Sequence, residues 1–367
     1  MIPLTRPAFP DLSEIEPCLE EIWRSGQVTL GRYTRLFEEE VAALLGVRQA
    51  VAVSSCTAGL MLSLRALGLR GEVIVPSFTF AATVHAIVWN GLVPVFCEVE
   101  PTTAMIDAGA AEQLITERTC AMMPVYAYGA PPDMDALEAL ARRRRLALIS
   151  DAAQGLGARY CGRWAGTFGD AEVFSLSPTK VITAVEGGLV TTNRPELAQR
   201  IRQLRDYGKS LDEEEGMAWI GLSARMSEVH AVIGLLNLRR QATLVRRRLD
   251  LIKLYREGLE GVPRLTFQAL PSGAETSGNF MPVFIDGSEA QPTRDEVYVQ
   301  LQARLIQTKR HFFPPAHWAK VYRESYGHTC LPITERLARE ALVLPLYHAM
   351  TESTVGDVCR TVRDVLG

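Results

Sequence analysis

Two residues 29 positions apart, Asp151 and Lys180, are the side chains best suited to chemistry in this sequence. Asp151 follows the apolar run Leu146-Ala-Leu-Ile-Ser150 and opens the stretch Asp151-Ala-Ala-Gln154. A carboxylate at the end of a buried strand carries a desolvation cost unless a cation or a donor meets it. A protonated ring nitrogen, a metal ion and the N–H groups of a following helix all meet that need, and these residues alone leave the three open. Lys180 sits between Phe174-Ser-Leu-Ser-Pro-Thr179 and Val181-Ile-Thr-Ala-Val185, an apolar setting for an amine. Desolvation there favours the neutral form that imine formation requires. Ser175, five residues earlier, offers a hydroxyl to a phosphate. Ser54-Ser-Cys-Thr57 precedes an apolar helical run from Ala58 to Leu67, which makes it either an anion site or an ordinary N-cap. Phe80 is either core or a stacking partner for a flat ring.

The elements around these residues alternate. Helical spacing covers Tyr33 to Leu45, Ala58 to Leu67, Ala81 to Asn90 and Met134 to Arg144. Short apolar runs at Ala50 to Ser54, Glu72 to Pro76, Val93 to Glu98, Cys120 to Tyr126 and Leu146 to Ser150 read as strands. Strands apolar on both sides, separated by helices, predict an α/β fold with a mostly parallel sheet covered on both faces. Such sheets bind ligands at the carboxyl ends of their strands. Ser55 to Thr57, Asp151 to Gln154 and Ser175 to Lys180 all follow such runs. A long helical region, Met226 to Leu259, links a large domain (1–249) to a smaller C-terminal α/β domain (250–367). Gly208 to Gly221, with its acidic run 212–215, is expected to be an exposed loop.

Taken in order, these residues resemble the fold-type I aminotransferases that use pyridoxal phosphate (PLP), and more narrowly the DegT/DnrJ/EryC1/StrS sugar aminotransferases. The resemblance covers nearly the whole chain, from Pro3-Leu-Thr-Arg-Pro7 to Leu344-Pro-Leu346. The family's S-G-T-A-A-L phosphate turn is matched by Ser55-Cys-Thr-Ala-Gly-Leu60, which places Cys56 and Thr57 at the phosphate. Pro76-Ser-Phe-Thr-Phe-Ala-Ala-Thr83 makes Phe80 the ring stacker. Asp151 is then the partner of the ring nitrogen, Gln154 a neighbour of the phenolic oxygen, Ser175 the phosphate serine and Lys180 the imine lysine. Glu186-Gly-Gly188 matches a family turn. Two positions depart: Cys56 stands where Gly is usual. In Gly221-Leu-Ser-Ala-Arg225-Met226, Ser223 stands where an Asn reaches the cofactor phosphate of the neighbouring subunit.

The resemblance implies transamination through a Lys180 imine and a pyridoxamine phosphate intermediate, since the dehydratase branch has His in place of the lysine. It implies glutamate or glutamine as donor, a nucleotide-linked keto-deoxysugar as acceptor (a 4-keto-6-deoxyhexose by preference), and a homodimer with shared sites. Lys309, Arg310 and His311 resemble a stretch near the sugar-nucleotide pocket and are expected at its phosphates, or else in a solvated basic loop. A keto-cyclitol aminotransferase, a PLP lyase or decarboxylase and a regulatory PLP-binding protein are rival readings on the same scaffold.

Bulk properties agree with a soluble enzyme. Across 367 residues the net charge is −3, which gives no reason to expect nucleic acid or an anionic membrane as partner. The seven cysteines show no CxxC pair or metal-ligand spacing and are expected to be reduced thiols, with no metal bound. The stretch Met1 to Pro7 lacks a signal-peptide pattern, and no apolar run approaches the ~18–20 residues of a membrane span, so the cytoplasm is the expected compartment.

Overall fold

Short apolar runs become strands because a sheet covered by helices on both faces has no side that favours polar residues. In the computed structural model, which describes residues 1–210, 216–287 and 292–367, these runs build one seven-stranded sheet. The acidic run 212–215 lies outside the described residues. The first five strands are β1 (Gln49–Val53), β2 (Glu72–Pro76), β3 (Val93–Cys97), β4 (Thr119–Met122) and β5 (Ala147–Asp151). A small hairpin of β6 (Arg159–Tyr160) and β7 (Arg163–Trp164) precedes β8 (Ala171–Ser175) and β9 (Gly188–Thr192). The sheet order is β1-β9-β8-β5-β4-β2-β3. Only β9 runs against its neighbours, β1 and β8; the other pairings are parallel.

Alternate residues of each strand enter different cores. Ala50, Ala52, Ile74, Leu148 and Phe174 pack on one side, and Val51, Val53, Val73, Ile149 and Val173 on the other. The helices Cys56–Leu67 and Ala81–Trp89 start just beyond β1 and β2, so their N-termini face the carboxyl edge of the sheet.

The region from Met226 to Leu259 is not one helix. It splits into Glu228–Arg239 and Gln241–Gly258 at Arg240, whose N–H bonds back to the Asn237 carbonyl in a tightened last turn. Asn237 is held in the core by donating to the carbonyls of Ala8 and Thr183, and the N-terminal arm crosses at this break. Residue 250, where the smaller domain was expected to begin, falls inside the second of these helices.

Beyond it, β10 (Leu265–Phe267), β12 (Met281–Ile285) and β13 (Ala341–Leu344) form an antiparallel sheet, while β11 (Ala274–Glu275) joins β6. One face of the antiparallel sheet packs on Gln241–Gly258 and Glu352–Leu366. Phe284 and Val343 from this sheet join Phe78, Tyr128 and Phe312 in an aromatic cluster, with Tyr128 and Phe312 stacked at 5.9 Å. That cluster fixes residues 309–312 over the carboxyl edge of the large sheet. No helix among the described residues is long and apolar enough to cross a membrane.

The start of β9 passes so near the turn after β1 that a side chain does not fit. A Cβ at Gly188 would lie 2.4 Å from the Ser55 carbonyl carbon and 2.5 Å from the Cys56 nitrogen. Gly188→Ala is therefore expected to destabilise the fold by about 1–3 kcal/mol, as overpacking against backbone does. Gly356→Ala, in the helix Glu352–Leu366 with its nearest neighbour 3.7 Å away, should instead be stabilising by about 0.5–1 kcal/mol. Denaturant unfolding of the two variants checks the contrast.

Candidate active site

The parallel topology brings the ends of β1, β5 and β8 to one edge. Register ties them together there: Asp151 pairs with Val173, and Gly188 pairs with both Ser175 and Val53. A cavity of about 290 Å³ opens at this edge. Cys56, Thr57, Phe80, Asp151, Gln154, Ser175 and Lys180, drawn from four separate stretches of sequence, all line it.

One wall is the start of the helix Cys56–Leu67. Ser55 is its N-cap, and its hydroxyl accepts the Ala58 N–H at 3.1 Å. The N–H groups of Cys56 and Thr57, the first two of the helix, have no intrahelical acceptor and point outward with the positive end of the helix dipole. Ser175 stands opposite, its hydroxyl 3.2 Å from that of Ser177, another lining residue. This corner suits a phosphate.

Asp151 forms the floor. It is only 5% exposed, and burial pushes its pKa above the usual carboxylate range. Three groups oppose that push: the Thr83 hydroxyl donating at 2.6 Å to Oδ2, the Ala153 N–H donating at 3.0 Å to Oδ1, and the charge of Lys180. The Cys56 thiol lies 3.7 Å from the Val173 carbonyl and 4.0 Å from Asp151 Oδ1. Burial, then the Asp151 charge, pushes that thiol well above its usual range.

Lys180 enters from the loop after β8, under the ring of Phe280 at 6.0 Å. Burial lowers its pKa below the ordinary lysine range, the charge on Asp151 works against that shift, and nearby Lys309 adds to it. The following N–H, of Val181, donates to Asn279 Oδ1 at 3.3 Å and anchors the loop.

The basic stretch 309–311 divides. Lys309 and His311 reach the cavity, while Arg310 pairs with Asp295 at 3.0 Å and lies over the Tyr298 ring, away from the lining residues. Burial, followed by the charges of Lys309 and Lys180, pulls His311 down to about 3. Its imidazole is therefore neutral and offers one donor and one acceptor. Ser223 is exposed, bridges to Asp206 and receives a long 3.4 Å contact from Arg225; it does not line the cavity of the single chain.

Sequence reasoning missed Leu4, Tyr126, Phe280 and Phe312 on the cavity walls, and Thr83 behind Asp151. The first four carry no local signal, because they come together only through tertiary packing. Thr83 did leave a trace: Thr79 and Thr83 stand four apart where a helix begins, and their hydroxyls lie 2.7 Å from each other.

The donor set fits a flat, phosphorylated, cation-bearing heterocycle such as PLP. Phe80 is 58% exposed, an unusually bare aromatic at a cavity wall. Gln154 is buried, yet its Oε1 has no partner among the described residues, and turning the amide over presents its NH2 to a ligand oxygen. No cluster of His, Cys, Asp and Glu suited to a metal ion occurs among the described residues.

Comparison with known proteins agrees. The model of the DegT/DnrJ/EryC1/StrS aminotransferase family matches residues 11–363. An uncharacterized protein of Methanocaldococcus jannaschii is 34% identical over 371 residues, spanning 97% of this chain and 95% of the relative. The structure of DesI with its TDP-sugar product superposes with a TM-score of 0.93 at 38% identity, covering 99% of this chain and 92% of that one. DesV of S. venezuelae, solved with a ketimine intermediate, gives a TM-score of 0.90 at 33% identity and 98% coverage of both chains.

The upward shift of the Cys56 thiol has a direct chemical readout. At pH 8 a thiol-alkylating reagent is expected to label the exposed Cys161 and Cys330 and to leave Cys56 unmodified, as peptide mass analysis would show.

Proposed function

The chain belongs to the DegT/DnrJ/EryC1/StrS aminotransferase family and is a PLP-dependent aminotransferase; from that premise we propose that it moves an amino group from glutamate or glutamine to the keto carbon of a nucleotide-linked deoxysugar, a 4-keto-6-deoxyhexose. The observation that carries the reading is the convergence of Lys180, Asp151 and the free helix start at Cys56 and Thr57 in one cavity. The solved relative that holds a TDP-sugar product supports the class of acceptor.

In this reading the N–H groups of Cys56 and Thr57 and the hydroxyl of Ser175 bind the cofactor phosphate. Phe80 covers one face of the ring, and Gln154 orients it from the side. Asp151 would hold a proton on the ring nitrogen. When bound, PLP supplies an electron sink for charge that develops at the donor's α-carbon. Lys180, with its pKa lowered, would be the amine that holds the cofactor, and when free its Nζ would be the base placed to take and return the donor's α-proton. Phe280, Phe312 and Leu4 narrow the cavity and exclude water from that transfer.

Lys309 meets the anionic part of the acceptor, and neutral His311 hydrogen-bonds a sugar hydroxyl. The protein acts as a cytoplasmic homodimer. Met217, Trp219, Ile220 and Leu222 leave an exposed apolar surface beside Ser223 that supports such an interface.

Absorbance tests the core of this reading. The protein reconstituted with PLP should show a visible band that glutamate converts to a near-ultraviolet one and that a keto-sugar nucleotide restores. Lys180→Ala should lack the visible band; its survival in that variant would mean that Lys180 is not the amine that bonds the cofactor.

Steady-state kinetics separates the two basic neighbours. Lys309→Met should raise KM for the sugar nucleotide by about tenfold, the loss of one charge-assisted contact, with a smaller change in kcat through the loss of its charge near Lys180. Arg310→Ala, whose guanidinium is already engaged by Asp295, should leave both constants unchanged.

A further inference from the structure

Asp151 is reached by hydroxyls that arrange themselves in one order only. Asp151 Oδ2 accepts from the Thr83 hydroxyl at 2.6 Å, and the Thr83 hydroxyl lies 2.7 Å from that of Thr79. An ionised carboxylate accepts and does not donate, so the Thr83 proton goes to Asp151. Thr83 can then only accept from Thr79, which fixes a directed chain from Thr79 through Thr83 to Asp151. Both threonines are buried, at 3% and 0% exposure, where an unpaired hydroxyl would be costly and where valine would fill the same space. Thr79 lines the cavity and Thr83 stands behind it, in the first turn of the helix Ala81–Trp89. On the other side Oδ1 is held by the Ala153 N–H at 3.0 Å. The two oxygens are thus gripped by different elements, Oδ1 also has the Cys56 thiol 4.0 Å away, and Asp151 lines the cavity.

We propose that Thr83, backed by Thr79, is the positioning residue that holds the Asp151 carboxylate in place and aims its open lone pairs at a cationic ring nitrogen. The proposal rests on the reading of Asp151 as the partner of that nitrogen. Without the Thr83 donor, burial is opposed by the Ala153 N–H and the charge of Lys180, with the neutral Cys56 thiol the other titratable group against the carboxylate, so Asp151 takes up a proton at higher pH than in the native protein. Cofactor binding then weakens most at the acid end of the pH range.

The test uses the full-length protein stripped of PLP and retitrated, with the dissociation constant read from fluorescence quenching and the pH midpoint of the bound cofactor's visible band read by absorbance. Thr83→Val, Thr83→Ser, Thr79→Val and Asp151→Asn are compared. Thr83→Val is expected to weaken PLP binding about tenfold and to move the midpoint in the same direction as Asp151→Asn. Thr83→Ser should restore both, and Thr79→Val should give a smaller change of the same sign, which keeps the test alive if Thr83→Val does not fold. The proposal is overturned if Thr83→Val and Thr79→Val behave as native while Asp151→Asn does not, or if Thr83→Ser is as impaired as Thr83→Val, since packing alone would then account for the site. If Asp151→Asn itself leaves affinity and midpoint unchanged, the reading of Asp151 falls and the proposal with it.

Discussion

The demand that organises this molecule is that of one carboxylate, Asp151, at the end of a strand with apolar cores on both faces. Burying that charge is unfavourable by several kcal/mol unless donors meet it in place. The fold supplies them from three directions. The helix after β2 brings Thr83 to one oxygen, the turn after β5 folds Ala153 back to the other, and the loop after β8 brings the Lys180 amine into the same field. Asp151 and Lys180 also shape each other. The carboxylate limits how far burial lowers the amine, and the amine limits how far burial raises the carboxylate. Two groups with opposed shifts in one cavity are what proton transfer near neutral pH requires.

Topology turns this local balance into a site. Because β1, β2, β5 and β8 run in the same direction, their carboxyl ends share an edge, and each following segment contributes a different chemical part: free N–H groups, an aromatic wall, an acid, an amine. The reversed strand β9 closes the gap between β1 and β8, at the cost of a position where only glycine fits. The smaller sheet supplies the roof. Tyr128 donates to the carbonyl of His311 and stacks on Phe312, so the segment carrying Lys309 and His311 is pinned by aromatic packing and does not hang free over the cavity.

Much of this was legible in the sequence, and the reason is the same at each place. Strands buried on both faces write themselves as unbroken apolar runs, so β1 to β5 were placed within a few residues, and residues at strand ends were placed with them. What depends on contacts between distant segments was not legible. Thr83 lies 68 residues from Asp151, and nothing local shows that its hydroxyl donates to that carboxylate. Arg310 reads as the equal of Lys309 until Asp295 is seen to claim it. The helical region from Met226 to Leu259 looks continuous because the break at Arg240 comes from Asn237 turning inward to the N-terminal arm, and the apolar period does not register that.

Cys56 shows how a departure from the family pattern is accommodated. A glycine is required where the backbone needs a positive φ or where another chain segment leaves no room for Cβ. Neither holds at 56: the residue opens a regular helix and is not among those with positive φ. The close approaches occur instead at Gly59, where a Cβ would meet Val173 Cγ1 at 2.7 Å, and at Gly188 across the turn, and both of these remain glycine. In the proposed site the phosphate would meet the backbone N–H of residue 56, which any side chain leaves in place. The thiol is therefore free to turn inward, toward the Val173 carbonyl and Asp151, and its burial there keeps it protonated. A thiol that stays neutral and donates weakly adds no full charge beside Asp151, which is how this position can differ from glycine without disturbing the strand-end acid.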